Sequence, residues 1–230
     1  NDVEKFISTI NEGIKFAEEG SIVTFGIPPN SPETGYGYIK VEKSINFDEN
    51  KAFKIESFLE KPLADVAKKL ILDKSYFWNS GIFLCKASTI IHEIRKYSSD
   101  ILSYCKKSLE DGFYDLDFQR LSQVWFEKCD DISFDIAVMQ KTFLGVVLVL
   151  DVGWSDAGSW DSMWEISKKD NNGNVFLGKV FSDNVRDCYL KSDERLIVGS
   201  NIENLIIVET NDVILVTQKG YSQKLKEIVS

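Results

Sequence analysis

The sequence predicts an α/β domain followed by a smaller domain of stacked β structure, and three observations carry that expectation. An amphipathic helix opens the chain and gives way to apolar strand segments that alternate with further helical patterns. The stretch Gly145-Val-Val-Leu-Val-Leu150 is apolar almost throughout, the pattern of an interior strand covered on both faces. After Trp164 the pattern changes to short β-branched runs separated by Asn, Asp and Gly. The boundary is therefore expected at 165/166, giving domains 1–165 and 166–230.

Taken in order, Val3, Phe6, Ile7, Ile10, Ile14 and Ala17 recur at helical spacing, so 2–17 reads as a helix that Gly20 ends. Residues 21–27 read as a strand, and the Pro-, Asn- and Gly-rich stretch 28–35 as a turn. Two strands follow, 36–42 and 52–60, with 46–51 turning the hairpin between them. Residues 63–72 have a helical pattern and 78–86 a strand pattern, while 87–104 reads as one longer helix or two. Residues 115–125 are also expected to be helical, and 134–141 forms a helical turn before the strand that ends at Leu150. In the last part, the runs 174–181, 188–190, 196–198, 205–208 and 213–216 fit a small β-helix or a sandwich. A final amphipathic helix is expected over 221–229.

Composition narrows the function classes. The chain is 43% hydrophobic and 27% charged, the balance of a globular protein with a substantial core. A formal charge of −9 and no Lys/Arg stripe argue against nucleic acid or an anionic membrane as partner. No apolar run reaches the ~18 residues of a membrane span, and no signal peptide is evident. Cys85, Cys105, Cys129 and Cys188 are widely spaced without a CxxC pair, which fits free thiols in a reducing cytoplasm. The single histidine, His92, falls in a helical pattern and reads as a surface residue. Histidine triads and multi-histidine metal sites therefore lack their parts.

Four strand ends carry the chemistry. Gly35-Tyr-Gly-Tyr38 sets glycines around an aromatic residue where a loop enters a strand; the alternative is a bend that relieves strain. Glu60-Lys-Pro62 ends another strand. Its two charged side chains reach one ligand only if the strand breaks there, and otherwise form a solvated ion pair. Trp78-Asn-Ser-Gly-Ile-Phe83 opens a strand with Asn79, Ser80 and Gly81; Asn79 both donates and accepts, as vicinal sugar hydroxyls require, although an ordinary turn is the alternative. Asp151-Val-Gly-Trp-Ser-Asp-Ala-Gly-Ser-Trp160 adds two carboxylates, two glycines and two indoles, or simply a capped strand-to-helix turn. Together these ends hold what a sugar phosphate needs: amides and carboxylates for hydroxyls, aromatic faces for C–H groups and a lysine for the phosphate. An Asp at such an end suits Mg²⁺, a hard cation that takes oxygen ligands.

These motifs, with Thr24-Phe-Gly-Ile27, Pro32-Glu-Thr-Gly35, Phe58-Leu-Glu-Lys-Pro62, Phe134-Asp-Ile-Ala-Val-Met-Gln-Lys-Thr142 and Gly173-Asn-Val175, resemble in order the mannose-1-phosphate guanylyltransferases, including those that also carry mannose-6-phosphate isomerase activity. The resemblance implies a GT-A-like, Rossmann-related nucleotidyltransferase fold, a mixed sheet with helices, plus a C-terminal β-helix-like domain. It implies formation of GDP-mannose and pyrophosphate from GTP and mannose 1-phosphate with Mg²⁺. By motif match Asp156 is a Mg²⁺ ligand and Lys61 meets the sugar phosphate, so these two are the catalytic candidates. Glu60, Asn79 and the backbone of Gly35, Tyr36 and Gly37 hold mannose, with Ser80, Gly81 and Trp154 lining the pocket and Asp135 supporting it. Gln140 stands where the family usually has Glu, which removes a charge. The family's Gly-rich GTP-phosphate loop and second metal-binding Asp have no match in this chain and are expected upstream of Asn1, so these 230 residues alone are expected to be inactive. The metal-binding cupin that carries isomerase activity has no match either. A non-catalytic sugar-phosphate-binding or regulatory subunit, and a nucleotidyltransferase for another hexose phosphate, are the alternatives. A homodimer is the expected assembly.

Overall fold

The computed structural model describes residues 2–42 and 52–222. The chain divides into two compact units, Asn1–Trp154 and Ser155–Ser230.

The first unit opens with α1 (Val3–Glu18), whose N-terminus is capped by the Asp2 carboxylate accepting the Lys5 N–H at 2.9 Å. Five strands form its sheet: β1 (Ile22–Ile27), β2 (Tyr38–Val41), β3 (Ala52–Leu59), β4 (Tyr76–Leu84) and β7 (Gly145–Val149). The sheet is mixed, as expected. β1 runs parallel to β7 and antiparallel to β4, while β3 is antiparallel to both β2 and β7. Because β3 reaches β7, the strands hydrogen-bond in a closed circuit β1–β4–β2–β3–β7 rather than an open sheet. β7 sends Val147 into one core cluster and Leu148 into the other, so both of its faces are covered, which accounts for its apolar run. Strand alternation sorts the core: Ile22, Ile39, Phe53, Phe77 and Val147 pack with Ile94 of α3 (Ala87–Tyr97) and with a wide helical turn at Asp135–Met139. Val23, Phe25, Ile27, Trp78 and Leu148 pack instead with Ala17 of α1 and Ala67 of α2 (Ala64–Leu70). All six residues of β1 are buried.

The region 87–110 is two helices, α3 and α4 (Ser99–Glu110), separated at Ser98. The helix expected over 115–125 is absent. Phe113–Asp115 (β5) and Phe118–Arg120 (β6) pair as a hairpin, and only Gln123–Phe126 (α5) is helical. Leu116 takes the left-handed conformation at the turn (φ 53°), and Arg120 closes on Asp115 across the strands at 3.0 Å. Phe113 and Tyr114 on one side and Phe118 on the other favour strand over helix here.

In the second unit α6 (Trp160–Ile166) precedes two layers of β structure. β8 (Val175–Leu177), β10 (Tyr189–Ser192) and β12 (Leu205–Glu209) stack in parallel, and β13 (Ile214–Gln218) adds antiparallel to β12. The facing layer is β9 (Val180–Arg186) parallel to β11 (Ile197–Glu203). Parallel rungs decide between the two expected architectures in favour of the β-helix. Corner residues repeat from rung to rung: Asn184 and Asn201, and Asp187 and Asn204, all take left-handed φ, and the Asn184 amide donates to Asn201 Oδ1 at 2.7 Å. Val185, Cys188 and Leu190 fill the interior between the layers. Trp160, Met163 and Trp164 of α6 cover the outer face at Val175, Tyr189 and Ile206, which is why α6 belongs to this unit and the division falls at Trp154/Ser155 rather than at 165/166.

Glu209 staples the rungs. Its buried Oε2 accepts the backbone N–H groups of Asp193, Glu194 and Arg195 at 3.0–3.1 Å, and Oε1 accepts from the Arg195 guanidinium at 2.9 Å. These donors, led by the Glu194 N–H, hold its carboxyl down at about 2 against the opposing effect of burial. The turn expected at 46–51, and the final helix from residue 223 onward, lie outside the described residues.

Candidate functional site

The first unit brings four of the candidate side chains together. β3 ends at Leu59, and Lys61 takes a left-handed φ of 44°, so the strand breaks there, the condition under which both charged side chains can reach one ligand. The break turns Lys61 Nζ back to 3.4 Å from Glu60 Oε1, with the lysine mostly exposed and Glu60 largely covered. Gly37, entering β2, packs directly against Glu60: a Cβ there would lie 2.7 Å from Glu60 Oε2 and 3.1 Å from the Phe58 ring. Its carbonyl accepts the Asn79 N–H at 2.8 Å, which ties β2 to β4.

Asn79 sits near the middle of β4, 9% exposed. Its side-chain Nδ2 donates to Asp135 Oδ1 at 3.0 Å, and Asp135 opens the wide helical turn at Asp135–Met139. Thr24 of β1, fully buried, places its hydroxyl 2.9 Å from Asn79 Oδ1 and 3.2 Å from the Ile82 carbonyl. Thr24 lies in a motif quoted from the sequence, but its role there depends on the β1–β4 register and has no local signal. Burial raises the Asp135 carboxyl above the usual range, and the negative charge of Glu60 adds to the rise. The Asn79 amide and the Lys61 ammonium act in the opposite direction. Glu60, Lys61, Asn79 and Asp135 are thus one electrostatic group.

An aromatic cluster lies on the other face of β4. Tyr36 meets Trp78 edge-on at 5.1 Å and Trp154 at 5.5 Å. Ser80 and Gly81 form an irregularity in the β1–β4 pairing: Ser80 Oγ accepts the Ile82 N–H at 3.3 Å, and Gly81 has a φ of 73° that a side chain disfavours. Gly35 is exposed in the preceding loop. Asp151 pairs with Lys5 across 3.9 Å, both well exposed. Gln140, also exposed, follows the Asp135–Met139 turn and donates its N–H to the Asp135 carbonyl. His92 is exposed on α3, as its pattern predicted.

Asp156 belongs to the second unit. Its Oδ1 accepts the Gly158 N–H at 3.0 Å and Ser155 Oγ accepts the Ala157 N–H at 3.3 Å, so the carboxylate shapes the turn that leads to α6. Ala157 is held at φ 49° within that turn. Among the described residues, no group of three or more His, Cys, Asp or Glu side chains could hold a metal ion. A single carboxylate still suits Mg²⁺, which takes one or two carboxylates and completes its shell with water and substrate phosphate. All four cysteines are free thiols, and no helix among the described residues is long and apolar enough to cross a membrane.

Comparisons with known proteins show the family to which the chain belongs. A sequence family described as nucleotidyl transferase matches residues 4–173, and one described as the MannoseP isomerase/GMP-like beta-helix domain matches residues 179–230. The chain is 44% identical, over 99% of its length, to a mannose-1-phosphate guanylyltransferase of Salmonella montevideo, of which it covers 49%. It is 39% identical over its whole length to one of Klebsiella pneumoniae, again covering 49% of that protein. It spans about half the length of the curated relatives it matches. A crystal structure described as mannose-1-phosphate geranyltransferase from Thermus thermophilus superposes with a TM-score of 0.81 at 26% identity, over 100% of this chain and 65% of that one.

Proposed function

Since the chain belongs to the nucleotidyl transferase family and carries its β-helix-like companion domain, we propose that the protein containing it is a mannose-1-phosphate guanylyltransferase. In the proposed reaction a phosphate oxygen of mannose 1-phosphate attacks the α-phosphorus of GTP. The bond from that phosphorus to the β-phosphate oxygen breaks, pyrophosphate leaves, and GDP-mannose forms. The reading is supported by the names of relatives at 39–44% identity over the full chain. The observation that carries its sugar-phosphate half is the convergence of Glu60, Lys61, Asn79 and Asp135.

Each group has a task that its environment suits. The exposed Lys61 ammonium, tethered beside Glu60, meets the phosphate and offsets its charge as the nucleophilic oxygen approaches a second phosphate. Glu60 and Asn79 take the sugar hydroxyls, the carboxylate as acceptor and the amide as donor. Asp135 holds the Asn79 amide from behind. Tyr36, Trp78 and Trp154 back β4 from its other face and keep it in place, while Ser80, Gly81 and the 35–37 backbone shape the loop around the ligand. Asp156 would hold Mg²⁺, which when bound neutralises phosphate charge and polarises the α-phosphoryl group. No side-chain nucleophile is needed, because such transfers depend on positioning and charge neutralisation.

A cytoplasmic location and a homodimer belong to the same proposal, the first supported by the four free thiols. We assign no isomerase role to the residues of this chain. The test is turnover by the full-length protein of GTP and mannose 1-phosphate with Mg²⁺, followed by ³¹P NMR. GDP-mannose and pyrophosphate in equal amounts support the proposal. Binding of mannose 1-phosphate without turnover would make the protein a sugar-phosphate binder instead, and faster turnover of another hexose 1-phosphate would reassign the substrate.

A further inference from the structure

The strand register places a buried hydroxyl directly behind the residue proposed to read the sugar. Thr24 is 0% exposed and sits on β1, where alternation points it to the same side as Ile22; Asn79 faces that side from β4 with Phe77. The amide of Asn79 has one acceptor oxygen and one NH₂ group, and the chemistry of its neighbours fixes which lies where. The Asp135 carboxylate accepts only, so the NH₂ group must face it, 3.0 Å away. The amide oxygen then faces Thr24, whose hydroxyl lies 2.9 Å away and can donate to it. Reversing the amide would set its oxygen against the carboxylate.

We propose that Thr24 is a positioning residue for the sugar subsite: its hydroxyl locks the orientation of the Asn79 amide, so that one N–H is held by Asp135 and the other is presented to a hydroxyl of the sugar phosphate. The proposal rests on the reading of Asn79 as a sugar contact. The chain Thr24→Asn79→Asp135 links β1, β4 and the helical turn at Asp135–Met139, three segments far apart in sequence, and it buries both ends of the amide's hydrogen bonding. Without the hydroxyl, the Asn79 oxygen would face an apolar group and the amide would lose one of its two anchors. Orientation, not contact with the ligand, is what Thr24 contributes.

The experiment uses the full-length protein with saturating GTP and Mg²⁺ and varied mannose 1-phosphate, for Thr24→Val, Thr24→Ser, Asn79→Ala and the double variant Thr24→Val/Asn79→Ala. Valine matches threonine in shape and lacks only the hydroxyl. Thr24→Val should raise the KM for mannose 1-phosphate about tenfold, the usual scale of a lost buried hydrogen bond, with kcat within about twofold. Thr24→Ser, which keeps the hydroxyl, should restore the wild-type KM. In the Asn79→Ala background Thr24→Val should add less than about twofold, since its effect passes through Asn79. A purely structural role would instead give the same further loss in both backgrounds and no rescue by serine, and that pattern overturns the proposal. If Thr24→Val does not accumulate as folded protein, Thr24→Cys, a weak donor, should give an intermediate rise; an unchanged KM there overturns the role equally. An unchanged KM in Asn79→Ala overturns the sugar-site reading and this role with it. A raised KM in Asn79→Ala beside an unchanged one in Thr24→Val overturns the Thr24 role alone.

Discussion

Gly37 offers a substitution that separates the site from the fold. A Cβ at this position would stand 2.7 Å from Glu60 Oε2, whereas ordinary contact begins at 3.4 Å, so the carboxylate must retreat by about 0.7 Å. The Phe58 ring, at 3.1–3.2 Å, closes off part of the space into which alanine could relax. Gly37 does not need a left-handed conformation, so alanine strains no backbone dihedral, and its carbonyl can keep the Asn79 N–H. The atom in the way is the end of a flexible side chain, which limits the loss of stability to about 1–2 kcal/mol, the lower part of the overpacking range. The site is less tolerant, because a misplacement of about 1 Å can cost about 100-fold in rate. Gly37→Ala in the full-length protein should therefore lower kcat/KM for mannose 1-phosphate by between about 10- and 100-fold while the protein stays folded. Steady-state kinetics beside thermal melts would measure both. A folded Gly37→Ala protein with kcat/KM within twofold of wild type would refute the placement of Glu60 in the sugar subsite.

Other outcomes follow from the same geometry. The Glu209 carboxyl is held at about 2 against an ordinary 4.5, so the stability it lends is complete above about pH 4.5 and is lost as pH falls through 2. Melting curves of wild type and Glu209→Gln should differ most near neutrality and converge toward pH 2; a pH-independent gap would contradict this. Asn174, 3% exposed, donates to the Val185 carbonyl at 2.8 Å and accepts the Cys188 N–H at 3.0 Å. Asn174→Ala strands both backbone groups and should cost about 2–5 kcal/mol in urea unfolding, and a loss under 1 kcal/mol would show that water replaces the amide. Asp156→Asn should lower kcat sharply and weaken the Mg²⁺ dependence of turnover, and an unchanged Mg²⁺ titration would remove Asp156 from the metal site.

What was legible in the sequence follows the range over which each feature is encoded. The periodicity of α1 and the apolar run of β7 are local consequences of burial, and both were readable. The hairpin at 113–120 was misread because a few aromatic residues satisfy either period, and the left-handed Leu116 gives no Gly or Asn signal. The β-helix was half readable. Asn184-Val-Arg-Asp187 and Asn201-Ile-Glu-Asn204 repeat at a 17-residue spacing, but β8 and β10 align at an offset of 14, which hides the rung period. At the site, the strand-end motifs pointed to Glu60, Lys61 and Asn79, because Gly, Asn and charged residues at strand ends are locally conspicuous, whereas Asp135, in a helical turn, came only from the family resemblance. Their assembly, and Thr24 behind them, depend on the β1–β4 and β2–β4 registers, which no local pattern encodes.

The most direct test of the account is the effect of Lys61→Ala on the two substrates of the full-length protein. Lys61 turns back on Glu60 with its ammonium exposed, in the group proposed to receive the sugar phosphate. The account predicts a KM for mannose 1-phosphate raised about tenfold or more, the scale of a lost charge-assisted hydrogen bond, with the KM for GTP within about twofold of wild type. A raised KM for GTP with mannose 1-phosphate unaffected would contradict it and move Lys61 to the nucleotide side.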